Sequence, residues 1–211
     1  RNLTVKQTYF KIPGWFNYSE TYDTIVDKIS DGGIILEIGS FMGRSTHYLA
    51  TSLCNAEKFN VKIYALDTFE GSSEHASLEM PKDFCHLFRE NLKFFIGRDM
   101  VRVCQGRSDD KKILDKFKNN FFDYIMVDGA HEYEAVLDDM ENWWPKLKDD
   151  GVMFGDDFYL ESVAQAVKDA SGKVKAEGYS VNGSTERTWF TSKNGKHRDF
   201  ERLIPGQNTL V

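Results

Sequence analysis

Cysteine is scarce in this chain, with Cys54, Cys85 and Cys104 the only three in 211 residues. Scattered and odd in number, they offer neither zinc-ligand spacing nor a disulfide framework, so a reducing, cytoplasmic compartment is expected. No uninterrupted apolar run is long enough to span a bilayer. The start, Arg1-Asn2-Leu3-Thr4, lacks the apolar core of a signal peptide. A chain that opens on Arg1 rather than Met is expected to be a trimmed one. Positive charge is in deficit, 27 Lys and Arg against 33 Asp and Glu for a net of -6. That balance argues against nonspecific nucleic-acid binding as the main task. Internal repeats, low-complexity runs and interdomain linkers are absent too. At 41% hydrophobic and 28% charged residues, the chain reads as one soluble globular domain with a sizeable core.

Two phosphate-binding patterns are missing as well. Nothing matches G-x-x-x-x-G-K-[ST], the phosphate loop of nucleotide hydrolases. The dinucleotide fingerprint needs a second glycine where pyrophosphate touches the backbone, and Phe41 stands there. That argues against NAD or FAD and against an oxidoreductase. What is present is Ile34-Ile35-Leu36-Glu37-Ile38-Gly39-Ser40-Phe41-Met42-Gly43-Arg44-Ser45. It reads as a buried strand, a tight turn and a helix start, the helix running from about Gly43 to Cys54. Gly39 is expected to permit the turn and a close ligand approach, and Gly43 to let the helix pack near the strand.

The spacing predicts an irregular arm over 1–17, then a helix from Tyr18 to Ile29 with Tyr22, Ile25, Val26 and Ile29 inward and Ser19 or Asn17 as cap. Trp15 and Phe16 either pin the arm to the core or form a flap over the site. A second strand, Val61 to Leu66, ends in Asp67, where this architecture grips ribose hydroxyls; a turn Asp is the plainer alternative. Thr68 to Met80, containing His75, reads as a polar loop at the crevice mouth. A helix from about Pro81 to Ile96 carries Phe84, Leu87, Phe88, Leu92 and Phe95 as a packing stripe. Val101 to Gln105 is a third strand, with Ser108 or Asp109 able to cap the next helix.

Phe121 to Val127 reads as a fourth strand ending in Asp128-Gly129-Ala130-His131. A helix from about Glu132 to Leu147, a turn at Lys148 to Gly151 and a fifth strand, Val152 to Gly155, come next. That strand ends in Asp156-Asp157, with another helix from near Leu160. Val174 to Val181 and Arg187 to Thr191 look like a closing strand pair around Asn182-Gly183-Ser184, and His197 to Val211 like a loosely held tail or an interface segment. Neighbouring strands thus bring Asp128, Asp156 and Asp157 to one sheet edge. Three carboxylates together repel unless a cation joins them, and Mg²⁺ accepts oxygen ligands while leaving room for substrate. Plainer roles stay open: Asp156-Asp157 as a helix cap, Asp128 as a cofactor contact without metal, His131 as a loop hydrogen-bonder. Asp138 and Asp139 are expected to face solvent, and Trp143 and Trp144 to pack.

Glu-x-Gly-x-x-x-Gly after the first strand resembles motif I of the class I S-adenosylmethionine-dependent methyltransferases. The Asp…Asp-Asp arrangement resembles the metal site of the catechol-type O-methyltransferases. Val127-Asp128-Gly129-Ala130-His131 is more similar to the macrolide-sugar O-methyltransferases, the catechol branch carrying a lysine near the position of His131. The resemblance covers roughly Pro13 to Lys193. It implies an α/β, Rossmann-like doubly wound sheet of seven strands, order 3-2-1-4-5-7-6 with the last strand antiparallel. The implied division is an arm over 1–17, a methyltransferase domain over 18–193 and a tail over 194–211. Implied cofactor contacts are Glu37, Gly39, Gly43, Ser45, Asp67 on ribose, Ser108 and Asp109 on adenine, and Asp128. Asp128, Asp156 and Asp157 become Mg²⁺ ligands and His131 the general base.

The implied reaction is methyl transfer to a hydroxyl of a sugar or other small molecule, without nucleic acid or membrane partners; a homo-oligomer stays open. An aliphatic hydroxyl barely ionises at neutral pH, so a metal and an imidazole suit the task. A metal-independent enzyme acting on N or a phenol, or a noncatalytic domain keeping the fold, are the alternatives.

Overall fold

The computed structural model describes residues 4–71, 83–181 and 187–200. Its seven strands are β1 (Ile34–Ile38), β2 (Lys62–Asp67), β3 (Val101–Gln105), β4 (Phe122–Val127), β5 (Leu147–Gly155), β6 (Tyr179–Val181) and β7 (Trp189–Ser192). They form one sheet in the order β3-β2-β1-β4-β5-β7-β6. β1 to β5 pair in parallel, and β7 runs antiparallel to both β5 and β6. This is the expected Rossmann-like sheet.

Six α-helices flank the sheet among the described residues: α1 (Ser19–Lys28), α2 (Arg44–Asn55), α3 (Phe84–Ile96), α4 (Lys111–Leu114), α5 (Tyr133–Trp143) and α6 (Glu161–Lys173). Alternation along the strands decides which layer each side chain joins. Ile35, Tyr124 and Met126 join Ile25, Leu49, Leu53, Phe88 and Leu92 on one face. Leu36, Ile38, Ile125 and Val127 join Met140, Trp143, Val163 and Val167 on the other. A central strand covered on both faces is apolar except where a buried polar group finds partners, as Glu37 does in β1, and burying each such Leu, Ile or Phe stabilises the fold by about 1.5–3 kcal/mol.

Several boundaries differ from the sequence reading. α1 begins at Ser19 with Tyr18 as N-cap and no side-chain cap, so neither Asn17 nor Ser19 caps it. Asp110, rather than Ser108 or Asp109, caps α4, its Oδ1 accepting from the Lys112 amide at 2.8 Å. Lys148 to Gly151 belongs to β5, whose register against β4 shifts between Phe122 and Tyr124. Val174 closes α6 instead of opening β6: it continues the buried spacing Val163, Ala166, Val167, Ala170, and Lys173 is the last helical residue. His197 and Phe200 are buried in a short 3-10 helix, Lys196–Phe200, with Phe200 stacked on Phe190 at 5.0 Å, so this part of the expected tail packs into the core. His75 and most of its loop, the 182–184 turn and residues 201–211 lie outside the described residues. Among the described residues, no helix is long and apolar enough to cross a membrane.

The arm is fastened at several points. Arg44 donates to the carbonyls of Gly14 at 2.8 Å and Ile12 at 3.4 Å. Phe16 is buried among Tyr9, Tyr18, Tyr22 and Tyr48, while Trp15 is 64% exposed beside Phe41. Phe16 pins the arm; Trp15 is left at its rim.

Candidate active site

The turn after β1 is held by contacts within the protein. Gly39 has φ +90°, and a Cβ there would lie 1.9 Å from the Asp128 carbonyl oxygen. Its amide donates to Leu66 O at 2.9 Å, and the Asp128 amide donates to Ile38 O at 3.0 Å. Gly39 is therefore needed for the β1 and β4 exits to touch, a closer constraint than the expected ligand approach. Gly43, at φ +87°, lets α2 start against α3, since a Cβ would meet Leu92 Cδ2 at 2.3 Å. The neighbour it accommodates is α3, not the strand. Ser45 is buried in the first turn of α2.

Phe41 takes a left-handed backbone, φ 47°, uncommon for a bulky residue. The Asp67 carboxylate supports it: Oδ2 accepts from the Phe41 amide at 2.8 Å and Oδ1 from the Phe69 amide at 2.7 Å. Asp67 thus joins the β1 and β2 exits, and each oxygen keeps further acceptor capacity at the crevice. Glu37 is fully buried, accepting from Tyr22 Oη at 2.6 Å and from Thr46 Oγ1. It braces the turn from beneath.

At the β3 exit, the two residues expected near adenine part company. Asp109 is exposed and forms a two-point pair with Arg107 at 2.9 and 2.7 Å. Ser108 is half-buried, its carbonyl accepting from Trp143 Nε1 at 3.1 Å and its side chain facing Asp139. Asp138 faces solvent as expected, but Asp139 is buried. The reason is helical phase: Asp139 lies on the stripe of Val136, Met140 and Trp143. Burial pushes its carboxyl up to about 7, partly offset by the Ser108 hydrogen bond.

That shift has a stability consequence. In the unfolded chain an Asp titrates near 3.9. A raised folded pKa means that ionising Asp139 costs the native state stability. The cost is absent below about pH 4, grows as pH rises to about 7 and is constant above. Asp139→Asn should therefore gain stability over the native protein between those limits, with a ceiling of roughly 4 kcal/mol. Urea unfolding at about pH 4.5 and about pH 8 measures it; a difference that ignores pH would contradict the assignment.

The β4 and β5 exits carry the remaining groups. His131 sits in the loop before α5, which is tied down where Ser162 Oγ donates to the His131 carbonyl at 2.7 Å. His131 Nε2 lies 3.0 Å from Asp157 Oδ2. One ligand atom each from Asp128, His131 and Asp157 lie within 4.8 Å of one another. Asp156 stands outside that trio: its Oδ2 accepts from Arg187 Nε at 3.0 Å and Nη2 at 2.8 Å. Arg187 Nη2 also reaches Asp157 Oδ1 at 2.9 Å, with its guanidinium 5.2 Å from the Tyr159 ring. Asp156 Oδ1 is buried with no hydrogen-bond partner among the described residues.

Electrostatics sort the acids. Burial pushes Asp128 well up, aided by the charge of Asp156 and opposed by the hydrogen bond from Tyr18. Asp156 is also raised, by burial and then by Asp157, against its bonds from Arg187. Burial works against Asp157 ionising, yet the hydrogen bond and charge of His131, followed by Arg187, bring it below the usual range. Asp157 takes a left-handed backbone, φ 59°, which Asp and Asn tolerate better than other residues.

Over residues 36–158 the sequence matches the family described as methyltransferase domain. The chain belongs to that family. It carries a methyltransferase domain. A relative, the uncharacterized protein y4gI of Sinorhizobium fredii, is 27% identical over 148 residues. That alignment covers 69% of this chain and 15% of the relative, so this chain spans only a small part of that protein's length. The SAM-dependent O-methyltransferase TM0748 of Thermotoga maritima superposes with a TM-score of 0.59 at 15% identity, covering 83% of this chain and 64% of that one. The O-methyltransferase NovP gives 0.59 at 18% identity, covering 83% and 78%. The SAH-bound methyltransferase PaMTH1 of Podospora anserina gives 0.58 at 15%, covering 82% and 76%.

Two groups at this sheet edge were not read from the sequence. Arg187 precedes β7 with nothing local to mark it. Tyr18, whose hydroxyl donates to Asp128 Oδ2 at 2.9 Å, looked like the start of a helix.

Proposed function

We propose that this methyltransferase moves the methyl group of S-adenosylmethionine to a hydroxyl of a sugar or other small molecule, assisted by Mg²⁺. The observation that carries the reading is the convergence of Asp128, His131 and Asp157. The donor set suits a hard cation. Asp128, Asp156 and Asp157 share one edge with Arg187 as the ion-pair partner of the latter two, and Asp156 keeps an oxygen without a donor among the described residues. Asp128 and Asp157 would hold the ion; Asp156, tied to Arg187 outside the trio, would join them only through its second oxygen. When bound, it lowers the pKa of the acceptor hydroxyl. Acceptor oxygen chemistry is also supported by the likeness to O-methyltransferases.

The chain's own residues do the rest. With Nε2–H donated to Asp157, neutral His131 carries its lone pair on Nδ1 and takes the hydroxyl proton; Asp157 stabilises the imidazolium that forms. The Gly39–Gly43 turn seats the cofactor over the strand ends, with Asp67 offered to the ribose and Ser108 and Asp109 to the adenine. Glu37 acts beneath as a brace. Sulfonium and alkoxide charges cancel along the reaction, so alignment of donor and acceptor matters most. The net charge of -6 supports a small-molecule acceptor over nucleic acid. Three unpaired cysteines suit a cytoplasmic setting.

A second reading is favoured by Arg187, a built-in cation already paired with Asp156 and Asp157: a metal-independent enzyme in which Asp128 orients the donor. Chelation separates the two. Turnover of S-adenosylmethionine on a panel of hydroxyl acceptors should disappear with excess chelator and return with Mg²⁺; undiminished turnover would favour the second reading. Calorimetry with the cofactor alone is the prior check, and absent heat would reject both.

A further inference from the structure

Two tyrosines at the start of α1 make direct contact with both exits of the central strands. Tyr18 and Tyr22 stand one helical turn apart, so their rings share a face. Both are buried, at 4% and 0% exposure, and meet edge to face at 5.3 Å. Tyr22 Oη donates to Glu37 Oε1 at 2.6 Å, and Tyr18 Oη to Asp128 Oδ2 at 2.9 Å. Thr46 Oγ1 donates to the other oxygen of Glu37. Two sets of hydrogen bonds, Thr46–Glu37–Tyr22 and Tyr18–Asp128, thus stand side by side, joined by the packing of the two tyrosine rings. The first begins in the first turn of α2, and the second ends on an acid of the Asp128–His131–Asp157 trio.

A carboxylate on a short side chain rotates between settings that cost little. A cation site needs it in one of them, and the groups behind a ligand supply that restraint. Asp128 has Tyr18 behind it. Ring packing fixes the phenol, with Phe16 at 4.8 Å on one side and Tyr22 on the other. We propose that Tyr18 is a positioning residue for the divalent cation, its hydroxyl fixing the rotation of the Asp128 carboxylate. This rests on the reading that Asp128 is a metal ligand. Tyr22 has a different duty: it satisfies the buried Glu37 and so supports the fold.

Mn²⁺ serves as the probe, because its paramagnetism reports the free ion directly. The full chain, saturated with S-adenosylhomocysteine, is titrated with Mn²⁺ and followed by electron paramagnetic resonance. Tyr18→Phe keeps the ring and removes the donor; it should weaken Mn²⁺ binding about tenfold or more. Tyr22→Phe should lower the melting temperature while leaving Mn²⁺ affinity unchanged. Each protein is titrated below its own melting midpoint, so folding and binding are read separately. Native affinity in Tyr18→Phe would overturn the proposal, as would an equal loss in Tyr22→Phe, which would assign the effect to α1 packing in general. If the native protein itself takes up no Mn²⁺, the metal reading fails and the proposal with it; if only the contrast between variants is missing, the metal reading survives.

Discussion

Asp157→Asn should lower turnover by a factor of about 10³ or more and leave affinity for S-adenosylmethionine within about twofold of native. Asparagine suits the left-handed backbone at this position, where Asp157 has φ 59°. Alanine there would add strain, so the isosteric change is the cleaner test. It removes the charge proposed to hold the cation and, in the same step, the carboxylate that faces His131 Nε2 at 3.0 Å. The imidazole then loses the group that sets its tautomer and stabilises its protonated form. Arg187 keeps its two bonds to Asp156, so the fold should survive, which a melting curve checks. Steady-state kinetics and cofactor calorimetry read the split. A variant that keeps more than about a tenth of native turnover would contradict the role given to Asp157.

Gly39→Ala is expected to have the largest effect on folding. The new Cβ would stand 1.9 Å from the Asp128 carbonyl oxygen and 2.8 Å from Gly129 Cα, all backbone, at a residue whose φ is +90°. Backbone cannot rotate away as a side-chain tip does, so the β1 and β4 exits must separate. The Asp128 amide would lose Ile38 O, and the Gly39 amide Leu66 O. The expected cost is above about 4 kcal/mol, enough to exhaust much of a domain's stability. Gly32→Ala is the control: φ is similar at +95°, but nothing lies within 4 Å. It should cost only about 1–2 kcal/mol, from the backbone conformation alone. Equal urea midpoints for the two variants would show that the contact with Asp128 does not matter.

These two residues mark how much was legible in the sequence. Motif glycines and strand-end acids are local signals: an apolar run must be covered, and the residues directly after it fall at the sheet edge. Hence Gly39, Asp67, Asp128 and Asp157 could be placed before any coordinates. Burial phase was legible in principle at Asp139, since the spacing of Val136, Met140 and Trp143 includes it, but two adjacent acids suggest solvent. The reason for Gly39 was not legible, because the backbone it must clear lies at the exit of β4, far along the chain. The same holds for Arg187 and Tyr18. Each meets its partner only through the order of β1, β4, β5 and β7 in the sheet, and neither carries a local pattern. Asp156 was read with Asp157 as an equal pair. Neighbours on a chain leaving a strand point differently, and Arg187 takes most of Asp156 while Asp157 turns to His131.

A cation held between the β4 and β5 exits is the central claim, and anomalous diffraction tests it most directly. Crystals grown with S-adenosylhomocysteine and Mn²⁺ should show one strong anomalous peak within about 2.5 Å of carboxylate oxygens from both Asp128 and Asp157. A fully occupied cofactor with no peak at those two residues, or a peak that sits elsewhere, would contradict it.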